Sequence, residues 1–231
     1  GIVRAQKNAL PSGKPEVMAR TLLVVGGGIS GLTAALEAGD SGASVVLVEK
    51  SEKLGGWLAS LTKTYPTRPP YQDLEATGIE AKVAAVQKHP KIRVLISAEV
   101  ESISGKPGTF DIAVRQNGGP LTIQVGSIVL ATGWTPRDAT HLEHLGGGKL
   151  QNVINSLKFE ELVQKGSIVR PSDGQSARRI AFILRVGSRE SGEYTYDSGV
   201  SDMVALKQSE YVRELNRDST CYIIYDHMIT P

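Results

Sequence analysis

The stretch Thr21–Lys50, TLLVVGGGISGLTAALEAGDSGASVVLVEK, constrains this chain more than any other. An apolar run, Leu22–Val25, leads into Gly26, Gly28 and Gly31 spaced as G-x-G-x-x-G, and Leu32, Ala35 and Leu36 then recur at helical spacing. That order predicts strand, phosphate loop and helix. A second apolar run, Val45–Val48, ends in Glu49, about 20 residues past the first glycine, where a dinucleotide-binding unit places its ribose ligand. Each part has a mechanical reason. Gly26 permits the tight turn out of the strand, Gly28 lets backbone approach a pyrophosphate with no Cβ in the way, and Gly31 lets the helix pack closely. The helix start, with Ile29 and Ser30, aims free N–H groups and a positive dipole end at the phosphates. Glu49 accepts from ribose hydroxyls and repels a 2′-phosphate, which favours FAD or NAD over NADP; Lys50 follows it in the same site.

With 231 residues, 40% of them apolar and 22% charged, the composition is that of a soluble globular protein with a substantial core. Lys plus Arg is 26 against Asp plus Glu 24, so a net charge of +2 gives no argument for nucleic acid as a partner. No apolar run is long enough to span a bilayer. One cysteine, Cys221, excludes an internal disulfide or a C-x-x-C centre, reads as a small buried core residue, and points to a reducing compartment, the cytoplasm.

Residues 1–20 contain Pro11 and Pro15 and little apolar periodicity, so an arm or linker is expected there. After Glu49 comes a second glycine pair, Gly55 and Gly56, followed by Trp57. Such a pair lies along the cofactor in FAD-binding units; it is equally well a plain turn. The prolines between Tyr65 and Tyr71 predict a surface loop, and Gln72–His89 an amphipathic helix stopped by Pro90. Strand-like runs follow at 92–96, 100–104, 110–114, 121–125 and 128–131, with turn residues at 105–108 and 117–120, so part of this region is an antiparallel meander. A meander inserted into a βαβ unit is the pattern of FAD-binding domains. The run IVLATGW, Ile128–Trp134, is an apolar strand ending in Ala131, Thr132 and Gly133, small residues at the sheet edge where ligands bind.

A short helix is expected at 155–164 and a domain boundary in the polar stretch 166–177. Residues 179–186 then restart a buried-strand pattern, 203–216 a helix and 220–225 a strand. This is a second β-loop-α-β unit whose loop has Gly187 but Arg189 where a second glycine would fall. His141 and His144 lack a third ligand and read as a solvated loop; Glu193, Asp197 and Asp202 read as an acidic solvated loop. No metal site is expected.

The motifs LGGW, LTKTYP, SAEVESISG, SIVLATGW, RRIAFILRVGSRE and MVALKQSEYVRE, together with the opening stretch, resemble the A-type subunits of heterodisulfide reductase and their relatives, FAD-carrying electron-transfer proteins with a thioredoxin-reductase-like core. The resemblance runs from about Thr21 to the end. It implies that Gly26, Gly28 and Gly31 hold the FAD pyrophosphate and Glu49 the adenosine ribose. Gly55 and Gly56 lie along the cofactor, Val100 meets the adenine through its backbone, and Ala131 and Gly133 line the site. It also implies that Lys207 sits near flavin N5, whereas the residues alone read Lys207 as a solvated helix lysine. The cysteines the family uses for an iron–sulfur cluster correspond here to Arg185, Asp197, Ser201 and Asp202, none of which supplies a thiolate. The family's last FAD-binding segment has no counterpart, so the resemblance implies that this is one piece of a longer or split protein.

The expected architecture is therefore α/β: a Rossmann-like FAD-binding domain with an inserted antiparallel β-meander over 21–175, then a partial second Rossmann-like domain over 176–231. The expected function is FAD-binding electron transfer alongside other subunits of a redox complex. A non-catalytic scaffold module and an NAD(P)H-dependent flavin oxidoreductase are the alternatives.

Overall fold

The computed structural model describes residues 18–116, 118–135, 139–184, 199–226 and 228. The Gly1–Val17 arm, Arg185, Gly187, Arg189, Glu193 and Asp197 lie outside the described residues. Contacts group the chain into two compact units, Gly1–Gly56 with Ala81–Gly133, and Trp57–Glu80 with Trp134–Pro231.

In the first unit, β1 (Thr21–Val25), β2 (Ser44–Val48), β3 (Ile92–Leu95) and β7 (Ser127–Leu130) form a parallel sheet in the order β3-β2-β1-β7. Helix α1 (Ile29–Asp40) connects β1 to β2 and packs on both. Strands β4 (Ala98–Lys106), β5 (Thr109–Gln116) and β6 (Gly119–Val125) form the antiparallel meander, placed between β3 and β7 in the chain. The insertion expected from the turn residues is therefore present. Of the five strand-like runs, the first and last belong to the parallel sheet and the middle three to the meander.

Strands β1 and β2 are apolar without alternation because both of their faces are buried. Leu23, Val46 and Val48 pack with Ala98, Ile112, Val114 and Val125 of the meander. Val24, Val45 and Leu47 are buried on the other face, where Leu32 and Ala35 of α1 are also fully buried. A Cβ on Gly126 would stand 1.9 Å from the Ala19 carbonyl oxygen, and the Ala19 N–H donates to Gly108 at 2.9 Å, so the residues just before β1 are tied to the meander's turns.

Helix α2 (Ile79–Lys88) is shorter than the 72–89 span its periodicity predicts. Glu75 pairs instead with Thr64 through reciprocal backbone bonds of 2.8 and 2.9 Å, and Gly78 takes a left-handed φ of +63°, so the helix starts after it. The Glu75 carboxylate also accepts from the Thr67 N–H and hydroxyl, which hold it below the usual carboxylate range.

The second unit contains α3 (Ser156–Gln164), N-capped by the Asn155 side chain, then β8 (Arg179–Ile183), α4 (Gly199–Leu215) and β9 (Thr220–Ile224). Strands β8 and β9 pair in parallel, as a β-loop-α-β unit requires. Its core is Phe159, Val163, Ile168, Ala177, Tyr211 and Val212, with Phe182 meeting Phe159 edge to face at 5.2 Å. Cys221 packs against this core half-buried rather than within it, and burial pushes its thiol up.

Leu23 is fully buried between sheet and meander, so Leu23→Ala leaves a cavity with a rigid wall on each side. We expect a loss of about 3 kcal/mol of unfolding free energy, read from the denaturant midpoint of the variant.

Candidate dinucleotide-binding site

The first unit carries every expected cofactor residue except Trp57 and Lys207. Gly26 leaves β1 at a φ of +107°, and a Cβ there would stand 2.2 Å from the Ala131 carbonyl oxygen. A Cβ on Gly31 would stand 1.8 Å from the Gly26 carbonyl oxygen. Neither position admits a side chain, and the obstacle in both cases is backbone. Gly28 differs. Its φ of −77° suits any residue, and a Cβ there would meet only the Gly56 Cα at 3.9 Å, so the space in front of it is open.

No side chain caps α1 at Gly28, and its first turn holds no acid. The N–H groups of the first turn have no carbonyl within the helix to receive them, and Ile29 and Ser30 there are exposed. An uncapped helix start behind an open glycine cradle is the arrangement a pyrophosphate requires. The residues present therefore fit such a group.

Glu49, at the end of β2, is only 8% exposed. Its Oε2 accepts from the Gly27 N–H at 2.6 Å and its Oε1 from the Ser51 N–H at 2.7 Å. These bonds aim the carboxylate at the loop, and a carboxylate with two acceptor sites per oxygen retains capacity for ribose hydroxyls. Lys50 beside it is exposed. The second glycine pair is no detached turn: the Gly55 N–H donates to the Gly27 carbonyl at 2.8 Å, and both Gly55 (φ +113°) and Gly56 (φ +55°) take left-handed φ values. On the far side of the loop the Ala131 N–H donates to the Val25 carbonyl at 2.8 Å, leaving Thr132 and Gly133 (φ +71°) exposed beyond the strand. Val100 sits where β4 slips register against β5 between Val100 and Ser102, its side chain packed on the core.

In the second unit, Trp57 begins directly after the glycine pair in a 3₁₀ turn over Gly56–Ser60. Its indole stacks on Trp134 with centroids 5.7 Å apart, and its Nε1–H donates to the Trp134 carbonyl at 2.8 Å. Both rings are exposed, at 40% and 59%.

The reading of Lys207 as a solvated lysine is corrected. It is 3% exposed, and its Nζ lies 2.6 Å from Glu160 Oε1 and donates to the Lys63 carbonyl at 3.0 Å. Tyr211, one turn on, lies beneath the ammonium at 5.3 Å and is fully buried; burial, with the Glu160 charge, pushes its phenol well above the ordinary range. Helical spacing alone treats Lys207 as a surface residue because Glu160, its partner, is 47 positions away. Asp202 is likewise fully buried rather than solvated; it lies in the first turn of α4, where the helix dipole favours a carboxylate, and accepts from the Ser201 hydroxyl at 3.0 Å.

Residues 20–175 match the family described as pyridine nucleotide-disulphide oxidoreductase. The chain belongs to that family. It is similar to an A-type iron-sulfur subunit of the CoB–CoM heterodisulfide reductase of Methanopyrus kandleri, 27% identical over 304 aligned residues covering 94% of this chain and 44% of that protein. It is also similar to the A-type subunit of the H2/formate:CoB–CoM heterodisulfide, ferredoxin reductase of Methanococcus maripaludis, 28% identical over 97% of this chain and 46% of that protein. The resemblance expected from the motifs is thus present along nearly the whole sequence. This chain spans less than half the length of these relatives, and alignments longer than its 231 residues mean that the relatives carry internal segments it lacks. Among solved structures, L-proline dehydrogenase from P. horikoshii shares the fold, with a TM-score of 0.50 at 15% identity over 94% of this chain and 38% of that one.

Sequence reasoning passed over Trp134 and Glu160. Both tryptophans of the chain directly follow a glycine expected at the cofactor, a local signal that marks Trp134 but not its partner. For Gly28→Ala we expect an unchanged apo unfolding midpoint and FAD binding weakened about tenfold or more, since the new methyl occupies the open cradle where backbone must approach the phosphates. Isothermal titration beside a melt of the apo protein checks both halves.

Proposed function

We propose that this chain binds FAD through the first unit and serves as an electron-transfer module within a larger redox assembly. The observation that carries this reading is the uncapped start of α1 behind the open Gly28 cradle, with the Glu49 carboxylate held toward the loop by two backbone N–H groups. Gly26, Gly28, Ile29, Ser30 and Gly31 bind the pyrophosphate, and Glu49 with Lys50 the adenosine end. Gly55, Gly56, Val100, Ala131, Thr132 and Gly133 line the remainder, and Trp57 follows directly after the glycine pair. Membership of an oxidoreductase family and similarity to heterodisulfide reductase proteins support FAD as the group bound.

Bound there, FAD supplies the exchange between two-electron and one-electron transfer, while the chain supplies binding, orientation and charge. Residues 1–231 hold a single cysteine, half-buried on β9, so no cysteine pair within them can take electrons and no set of thiolates can hold a cluster. Ser201 and Asp202 occupy two of the positions where the family resemblance would place cluster cysteines. Electrons therefore pass to or from a partner protein, or a further part of the same protein. No helix among the described residues is long and apolar enough to cross a membrane, and a cytoplasmic location is part of the proposal.

The test is the visible spectrum, iron content and anaerobic NADH titration of the protein in its longest native form. A flavin spectrum without iron in residues 1–231 is the expected result. A colourless protein that takes up no added FAD would sink the reading in favour of a scaffold, and rapid bleaching by NADH would make the chain a self-contained NADH-dependent flavoenzyme.

A further inference from the structure

The turn between α3 and β8 lies wholly in the second unit, apart from every residue placed at the dinucleotide site. Val169 and Ser176 face each other there as an antiparallel bridge, and the Arg170 N–H donates to the Gln175 carbonyl at 2.8 Å. Gly174 turns the chain at a φ of +70°, its N–H donating to the Arg170 carbonyl at 2.8 Å. The returning arm is tied from behind by the junction of α4 and β9. The Ser219 hydroxyl donates to the Ala177 carbonyl at 2.7 Å and the Thr220 N–H to the Arg178 carbonyl at 2.8 Å. Asn216, directly after α4, donates from Nδ2 to the Ile168 carbonyl at 3.0 Å and to the Ser176 hydroxyl at 3.1 Å. The backbone of this hairpin is therefore held at both arms.

On this backbone Arg170, Gln175, Ser176, Arg178 and Arg179 line a cavity of about 600 Å³. Every lining side chain is polar, and three of them are guanidiniums. Asp173 grips Arg170, accepting from Nε at 3.1 Å and from Nη2 at 2.5 Å, while Nη2 also donates to Gln175 Oε1 at 3.0 Å. The two N–H groups of Arg170 Nη1 are left without an acceptor among the described residues. Arg178 and Arg179 are exposed and pair with no carboxylate among the described residues. Three cations against the one carboxylate of the hairpin leave two positive charges uncompensated, equal and opposite to a phosphate monoester near neutral pH. The polar cavity of the first unit differs, because Lys50 and Arg115 there are matched by Glu52 and Glu99, with Arg115 bonded to Glu99 at 2.8 Å.

We propose that the hairpin cavity binds the phosphate group of a small phosphorylated molecule. Arg178 and Arg179 supply planar forks whose paired N–H groups match phosphate oxygens. Ser176 Oγ accepts from Asn216 and so keeps its own hydrogen to donate. The volume is that of a small-molecule site. Arg178 and Arg179 stand at the amino end of β8, whereas a β-loop-α-β unit receives a dinucleotide at the carboxyl ends of its strands. The cavity is thus separate from a dinucleotide position on either unit, and the proposal does not rest on the FAD reading above.

The experiment titrates the full chain at constant ionic strength with inorganic phosphate, AMP, glutarate and a phosphoserine peptide. Amide and arginine Nε–H resonances are followed by NMR, so shifts at 170–179 report the hairpin and shifts at 26–31 report the phosphate loop separately. Saturable shifts at the hairpin are expected for phosphate and AMP, with a Kd of about 1 mM or tighter. Arg178→Gln combined with Arg179→Gln is expected to weaken binding about tenfold or more at an unchanged unfolding midpoint, since both side chains are exposed. Arg178→Lys combined with Arg179→Lys keeps both charges but loses the forks, and about fivefold weaker binding is expected. That variant decides the matter if the glutamine pair does not fold. Hairpin resonances that do not saturate by about 10 mM phosphate or AMP would overturn the proposal. Wild-type affinity in either double variant would do the same. Glutarate binding as tightly as AMP would make the cavity a general anion site, and a phosphoserine peptide binding more tightly than AMP would make it a protein-docking site; either result overturns the assignment to a small phosphorylated molecule.

Discussion

The contact on which the first unit depends is the crossing of α1 over the end of β1. Gly31 meets the Gly26 carbonyl so closely that a single Cβ would overlap it, and Gly26 in turn lies against the Ala131 carbonyl. Strand β1, the loop, the first turn of α1 and the end of β7 are therefore within backbone contact of one another. This closeness brings the N–H groups of α1 to the carboxyl edge of the sheet, between the ends of β1 and β7, where open α/β sheets bind ligands. Glu49 closes the arrangement from β2 by accepting the Gly27 N–H. Buried on both faces, β1 and β2 give the loop a rigid base, and the glycines make it narrow.

The two units use charge in opposite ways. In the first, the site's electrostatics come from backbone: a helix start without a cap and a carboxylate tethered by N–H groups. Among the described residues no side chain caps the start of α1, and the Glu49 carboxylate accepts from two backbone N–H groups. In the second, a full positive and a full negative charge are buried together, with the remaining donors and acceptors of the cluster assigned to Thr62, Lys63 and Gln208. Partnering this complete makes a buried pair tolerable. It also makes the pair specific about which backbone segment it holds.

The relation to heterodisulfide reductase proteins bears on how such a module would be wired. The aligned relatives are more than twice as long and include internal segments missing here. The buried Asp202 accepts from the Ser201 hydroxyl in the first turn of α4, where the helix dipole favours a carboxylate.

Much of this was legible from residues alone. The phosphate loop, its helix, the Glu49 strand, the meander and the second β-α-β unit all follow from periodicity and turn chemistry, which are local and survive in a one-dimensional reading. The start of α2 was not legible, because the pairing of Glu75 with Thr64 draws residues 72–78 out of an otherwise helical pattern. Nor was the fate of Lys207 or Asp202, since a charged residue at a helical position looks solvated until its partner is known. Sequence by itself determined the strand, glycine loop, helix start and acid on which the proposed dinucleotide site is built, because steric closeness at Gly26 and Gly31 and the placing of Glu49 after β2 are properties of a short contiguous unit. Only the tertiary structure decided that Lys207 is buried against Glu160 and that Trp57 stacks on Trp134. Those contacts join residues 47 and 77 positions apart, and burial, unlike periodicity, depends on what the rest of the chain brings alongside.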